Sequence, residues 1–438
     1  MNFVSKFETF KTPSIHEILN LKKTRRVDYG GASSSTIYIH KKYVAKIIAS
    51  IAKPKNSTIR YNNEEEEIKF YKAFTEKLIL TKKTPHIVGC YDVIPFDIDK
   101  VMEEMKCTTD LNDHLEKVAK RTRKKKKDPS QKKKTQKQNQ PRRPIRLNIG
   151  SENPICRYLN EKRICNIWGF NNTGINRKEF YAVILENCYY NIEEAFNKLK
   201  KYDYKTIKAF LDRIIFQYAY TMMAIYSEYP NFIHNDMFLR NILGTEVKSR
   251  GNQYFKYSCF GKDYYFPVSG IMIKINDFGF SVTKKELGDP TLVKTLNEIN
   301  QNCDPKVPRK FETDNKSNQD TFNFILELYE RKTLWGVLNP LKMALNYNKI
   351  KKVRRVDIVQ KHIRKCLKKY FDIEKYDLIL KNMEKDRKKM SYIPWSPKGI
   401  PTLEKLIPRP EEWFKNNVFD EYTKVPSGNF TILEHYQF

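Results

Sequence analysis

The sequence predicts an α+β fold in two lobes: a small antiparallel β lobe with one helix, then a larger, mainly helical lobe. Three observations carry this. Residues 27–48, VDYGGASSSTIYIHKKYVAKII, alternate apolar positions around a Gly/Ser-rich turn and a charged HKK turn, the pattern of three short strands. Residues 205–228 repeat apolar side chains at three- and four-residue steps almost all round, which predicts a buried helix. From QDTFNFILELYE (319–330) onward, Lys-rich amphipathic stretches read as helical to near the end.

The remaining elements follow in chain order. Asn62 or Asn63 can cap a helix over 62–76; four glutamates suit its first turn, and Ile68, Phe70, Tyr71 and Phe74 fall near helical spacing. HIVGCYDVIPF (86–96) predicts a strand. Composition then changes abruptly. Lys120–Arg146 holds fourteen basic residues and one acid, which predicts a disordered, self-repelling insert within about 107–148. Such a segment is either a solvated loop or a patch for nucleic acid or acidic membrane. No aromatic residue interleaves its lysines, so base stacking is not supported. FYAVILENCYYNIEEAF (180–196) predicts an apolar strand, a polar step and a helix start. After the buried helix come FIHNDMFLRNIL (232–243), a strand pair around YFKYSCFGKDYYF, and a strand in IMIKINDFGFSV (271–282). The lobes are expected over 1–188 and 189–438.

Composition bounds the function. At 438 residues, 40% hydrophobic and 13% aromatic, the chain is not disordered overall. Its 82 Lys+Arg against 51 Asp+Glu give a net charge of +31, which favours polyanionic partners. The eight cysteines form no CxxC pair and no zinc-finger spacing with His, so they read as free thiols in a reducing compartment. There is no signal-peptide core and no run of roughly 18 apolar residues, so a soluble cytoplasmic protein without a membrane span is expected. Oligomeric state is not legible.

Four polar groups match the needs of phosphoryl transfer: covered phosphates, a cation to orient them, metal to bridge them, and a base for the attacking hydroxyl. Gly30 and Gly31 open a turn where backbone amides could approach phosphate, with the Ser33, Ser34 and Ser35 hydroxyls beside them; an ordinary hairpin turn fits the same residues. Lys46 alternates with apolar residues in VAKII, where a buried ammonium needs a partner. Glu67 can supply it, unless Lys46 is a surface lysine on an edge strand. Asp277 lies in NDFGF, on a tight turn freed by Gly279, and its carboxylate suits magnesium. Asn241 offers a second metal oxygen, Asp236 is left as the base, and His234 is expected to bond the backbone of the DFG turn. A solvated turn is the plainer account of the His-Asn-Asp cluster taken alone.

His-x-Asp-x4-Asn followed by Asp-Phe-Gly, with Lys46 and Glu67 upstream, resembles the eukaryotic-type protein kinase fold over roughly residues 27–330. The resemblance implies a bilobal fold, ATP and Mg2+ as cofactors, and a protein substrate with serine/threonine preference. It implies Asp236, Lys46 and Arg240 as catalytic residues and Asn241 and Asp277 as metal ligands. The nucleotide-binding set is then Gly30, Gly31, Ala32, Ser33, Ser34, Ser35, Ile37, Lys46 and Glu67, with the backbones of Glu186 and Cys188 at the adenine. Leu185 becomes the gatekeeper and Asp320 the anchor of the catalytic loop, 234–241. The chain is similar in particular to serine/threonine kinases of large cytoplasmic DNA viruses, poxviral ones included. The short step from Ile37 to Lys46, the long hairpin before Asp277, and QDTFNFILEL carry that likeness. It implies the host cytoplasm or the virion as location.

The pattern also departs from the family. Ala32 and Ser35 stand where further glycines would be, and Phe238 stands where a lysine follows the base. Arg240 could reach the γ-phosphate instead, as in tyrosine kinases. No APE triplet occurs between Asp277 and Asp320, so a phosphorylated activation loop is not expected. Ser281 and Thr283 are either phosphosites or plain surface hydroxyls. Two rivals stay open: a small-molecule kinase of the aminoglycoside or choline type, and a catalytically weak kinase-fold scaffold.

Overall fold

The computed structural model describes residues 3–20, 25–27, 36–49, 63–104, 179–197, 199, 203–249, 251–283, 287–288, 318–329, 349–378 and 406–438. The Gly/Ser turn with Gly30–Ser35 and the basic segment 120–146 lie outside the described residues. The chain is α+β and divides into two compact units, 1–12 with 57–93 and 184–438, and 13–56 with 94–183.

The second unit carries most of a five-stranded sheet of order β1-β2-β3-β5-β4. Its strands are β1 (Arg25–Val27), β2 (Thr36–Ile39), β3 (Tyr43–Ala49), β4 (Cys90–Asp97) and β5 (Glu179–Glu186). β1, β2 and β3 pair antiparallel in succession, as the alternation predicts. In β3 Tyr43, Ala45 and Ile47 are buried, while Val44 and Lys46 on the alternate face are half-buried. Ile37 lies directly across from Lys46, so two expected nucleotide contacts share that face. The Ile15–Leu19 helix starts at a capping box, in which Ser14 Oγ accepts from the Glu17 amide and Glu17 accepts from the Ser14 amide.

The first unit is built around the helix Tyr204–Glu228. Asp203 caps it by accepting from the Thr206 amide at 2.8 Å. The first unit also holds two three-stranded sheets. One is β10-β7-β6, from β6 (Tyr190–Asn191), β7 (Ile242–Val247) and β10 (Gly270–Ile275). The other is β11-β8-β9, from β8 (Gln253–Cys259), β9 (Lys262–Pro267) and β11 (Thr431–Gln437). The helix side chain of Gln217 stitches itself to β10, donating to Ile271 O at 3.3 Å and accepting from Ile273 N at 2.9 Å. Helices Gln319–Tyr329, Lys349–Leu367 and Pro410–Lys415 follow.

Three elements were not anticipated by the sequence. β7 is a strand that no local alternation announced. The N-terminal segment forms a helix, Phe3–Glu8, whose Phe7 ring and neighbouring Phe10 pack on Tyr91. At the end of the chain β11 pairs parallel with β8 and buries alternate residues Glu434 and Tyr436. Partners so distant in sequence leave no local signal. Among the described residues no helix is long and apolar enough to cross a membrane. The described cysteines, Cys90, Cys188, Cys259 and Cys366, are free thiols. Burial pushes the thiols of Cys90, Cys188 and Cys259 up to about 12, so they are poor nucleophiles.

One buried carboxylate ties the first unit's helices together. Asp212 accepts from Lys208 at 2.6 Å, Tyr370 at 2.6 Å and Tyr422 at 3.0 Å, and pairs with Lys369 at 3.0 Å. Burial opposes its charge, but these cations and hydroxyls outweigh burial and hold it below the usual carboxylate range. A depressed folded pKa stabilises the fold above the carboxylate range and loses that stabilisation as pH falls. Asp212→Asn is therefore expected to cost roughly 2–3 kcal/mol at neutral pH and to flatten the acid limb of the stability curve. Urea unfolding at a series of pH values measures both.

Candidate active site

The expected catalytic loop, 234–241, begins just after the buried helix ends. Its first residues are held from the helix Gln319–Tyr329. Asp320 accepts from the amides of His234 at 2.6 Å and Asn235 at 3.0 Å. One face and two turns on, Glu327 accepts from the Leu239 amide at 2.6 Å. A single helix thus grips the loop at both ends. The grip lets Asn235 hold a left-handed backbone, φ 63°, a conformation that Asn tolerates better than most residues. Burial raises the Asp320 pKa, and the nearby Asp236 adds to that; His234 and the two amides oppose it.

Inside the loop Asp236 is buried and fully engaged. Arg240 Nη2 donates to both its oxygens, at 2.7 and 2.9 Å. Asn241 Nδ2 donates to Asp236 Oδ2 at 2.6 Å and to the Asp236 carbonyl at 2.8 Å. Both amide hydrogens of Asn241 are therefore spent on Asp236, and its acceptor oxygen is what remains for a cation. The Arg240 guanidinium also lies 4.5 Å over the Phe238 ring, so Phe238 seats the arginine.

β7 and β10 bring in the second motif. Their antiparallel register places Ile242 across from Ile275, so Asn241 and Asn276, one step beyond, lie side by side. The Asn276 amide donates to Asn241 O at 2.9 Å. His234 Nε2 donates to Asn276 O at 3.0 Å, the backbone role expected of it, and its Nδ1 accepts from the Asp236 amide at 3.3 Å. Asp277 follows with φ 68°, a strained conformation costing on the order of 1–3 kcal/mol. Phe278 is fully buried against Phe70, Tyr71 and Phe74 of the helix Asn63–Phe74, and against His234. Those helix positions share one face with Glu67, which is buried as well.

The segment after the turn is also pinned. Ile233 and Val282 exchange two backbone hydrogen bonds at 3.0 Å. Ser281 and Thr283, expected as surface hydroxyls or phosphosites, are both buried. Ser281 donates to His234 O at 3.3 Å, and Thr283 bonds both the carbonyl and the amide of Leu287. The Gly288 amide donates to Glu66 Oε2 at 3.2 Å. Gly288 sits at φ 81°, and a Cβ there would come within 2.6 Å of Ser281 O, so only glycine fits.

Asp236, Arg240, Asn241 and Asp277 thus gather around one pair of strands in the first unit. Glu67 and Glu186 belong to the same unit, with Cys188 half-buried; Ile37 and Lys46 belong to the second. Several supporting residues had no sequence signal. His86, fully buried, donates through Nδ1 to Ile273 O at 3.2 Å and meets Tyr257 OH at 3.0 Å; burial and the nearby Lys274 keep its pKa well below the usual histidine value. Lys274, with no exposure, pairs with Glu186 at 2.8 Å. That pair ties the end of β5, where adenine binding is expected, to β10, the strand that leads into the Asp277 turn. Among the described residues no group of three His, Cys, Asp or Glu side chains could hold a metal alone. One carboxylate and one amide oxygen fit magnesium instead, which takes few protein ligands and shares the rest with water and phosphate.

No protein-family model matches the chain. Two proteins of Acanthamoeba polyphaga mimivirus are similar to it, each named "Putative serine/threonine-protein kinase". One is 28% identical over 454 aligned positions, which cover 99% of this chain and 98% of that protein. The other is 38% identical over 85 residues, 19% of this chain and 18% of its own length. The chain resembles kinases of the large DNA virus type along nearly its whole length, and this supports a kinase.

Lys274→Met removes the fully buried cation paired with Glu186 and is expected to cost about 3–5 kcal/mol. Combining it with Glu186→Leu should recover most of that loss. Denaturation midpoints of the two variants at unchanged m-value check the pair.

Proposed function

We propose that the protein is an ATP- and magnesium-dependent protein kinase that phosphorylates serine and threonine hydroxyls. The observation that carries this is the joined pair of Asp236 with Asn241 and of Asn241 with the Asn276–Asp277 turn. Asp236 accepts the substrate hydroxyl's proton while that oxygen bonds to the γ-phosphorus and the bond to the ADP oxygen breaks. Arg240 uses Nη2 alone on Asp236, which leaves the other donors of its guanidinium for the γ-phosphate. Asp277 and the Asn241 amide oxygen would hold magnesium, which when bound neutralises charge on the phosphates. On the sequence alone, Lys46 is assigned the α- and β-phosphates with Glu67 as its partner. Gly30–Ser35 and Ile37 cover the nucleotide, and the Glu186 and Cys188 backbones take adenine. The lobes are assigned to 1–188 and 189–438. The host cytoplasm or the virion is the assigned place, and the basic segment 120–146 a tether to polyanions.

Transfer of labelled γ-phosphate from ATP with magnesium to casein or basic protein tests this. Asp236→Asn should lower label on Ser and Thr about 10²–10⁴-fold. Equal label in both proteins would mean a contaminant. Heat stabilisation by ATP and magnesium without protein label would shift the assignment to a small-molecule kinase or a scaffold. Deleting Lys120–Arg146 should leave peptide phosphorylation intact and weaken heparin retention; unchanged retention sinks the tether.

A further inference from the structure

We infer that the Tyr71 hydroxyl is a positioning group for the metal-binding turn, holding Asp277 in its ligating conformation from the helix that carries Glu67. The inference rests on the assignment of Asp277 as magnesium ligand made above.

Tyr71 lies one turn after Glu67 on the buried face of the helix Asn63–Phe74 and is 1% exposed. Its hydroxyl donates to Asn276 Oδ1 at 2.5 Å and accepts from the Asp277 amide at 3.2 Å. One oxygen therefore grips two successive residues, the side chain of the first and the backbone of the second. His234 and Asn241 hold the same turn, but through the Asn276 carbonyl and amide. The Tyr71 bond reaches the amide of Asp277 itself, the residue with positive φ.

The core does not ask for this oxygen. The Tyr71 ring packs edge-on against Phe278 at 5.3 Å, and its helix neighbours Phe70 and Phe74 pack on the same ring as plain phenylalanines. A phenylalanine at 71 would fill the same volume. The polar atom is explained by the turn it bonds and by the Glu67 carboxylate on its own helix, with which it also hydrogen-bonds. A phenol is protonated at neutral pH, so the hydroxyl serves as a donor there. A helix that carries Glu67 thereby also sets the angle at which Asp277 presents its carboxylate. Any displacement of this helix would release the turn.

The test compares full-length wild type and Tyr71→Phe in γ-phosphate transfer over a magnesium titration at saturating ATP. Loss of a group that orients a metal ligand is expected to raise the magnesium half-saturation about 10–100-fold, with the rate largely recovered at high magnesium. Asn276→Ala should give the same shift, and the double variant no more than either alone. A merely structural tyrosine would lower the thermal midpoint and the active fraction while leaving the magnesium half-saturation at the wild-type value; that result overturns the inference. Should Tyr71→Phe fail to fold, an unshifted magnesium curve for Asn276→Ala overturns it instead. If wild type itself shows no magnesium-dependent transfer or ATP stabilisation, the kinase assignment falls and takes this inference with it. Magnesium-dependent wild type with an unaltered Tyr71→Phe sinks the role of Tyr71 alone.

Discussion

A buried carboxylate holds the loop 234–241 in place. Asp320 gives up water and receives two backbone amides, those of His234 and Asn235. Burying an ion without partners is costly, so the helix end and the loop start must stay joined for either to be stable. The left-handed Asn235, the inward side chain of Asp236 and the orientation of His234 all follow from that junction. Glu327 repeats the arrangement at Leu239, where the loop passes into β7. The apolar anchors Phe232, Ile233, Ile242 and Leu239 then bury the loop's flanks, so its polar residues can project from a rigid frame.

The second support is the pairing of β7 with β10. It converts two motifs far apart in sequence into neighbours, because the residues just outside the last pair must lie together. The turn that follows is strained at Asp277, and the strain persists because Phe278 is locked among aromatic rings while His234, Asn241 and Tyr71 bond the turn's polar groups. Strain so restrained is the usual mark of a preorganised site. The buried pair of Lys274 and Glu186 stiffens the strand on its approach to this turn.

The departures from the kinase pattern acquire physical content here. Phe238 carries the Arg240 guanidinium on its face, and Arg240 pairs with the Asp236 carboxylate from the position four residues on. The chain without an APE triplet has another tie after the turn: Thr283 closes on Leu287, and Gly288 bonds Glu66 on the helix. These contacts use buried hydroxyls and a backbone amide, so they need no added phosphate.

Much of this protein was legible in sequence because the signals are local. Period-two alternation marked β2 and β3, the all-round apolar pattern marked the helix Tyr204–Glu228, and the tight polar spacing of His234, Asp236 and Asn241 with Asp277 marked the polar groups that the fold brings together. Asp320 was legible only through resemblance to a family. Local periodicity did not reveal β7, the parallel strand β11, the roles of Tyr71, Glu327 and His86, or the pairing of Lys274 with Glu186. Each depends on partners brought together from distant parts of the chain, and a tyrosine on an apolar helix face looks like core until the turn it bonds is seen. Sequence by itself determined which side chains could do the chemistry; tertiary structure decided which of them are held still, because burial and long-range hydrogen bonds exist only once the chain has folded.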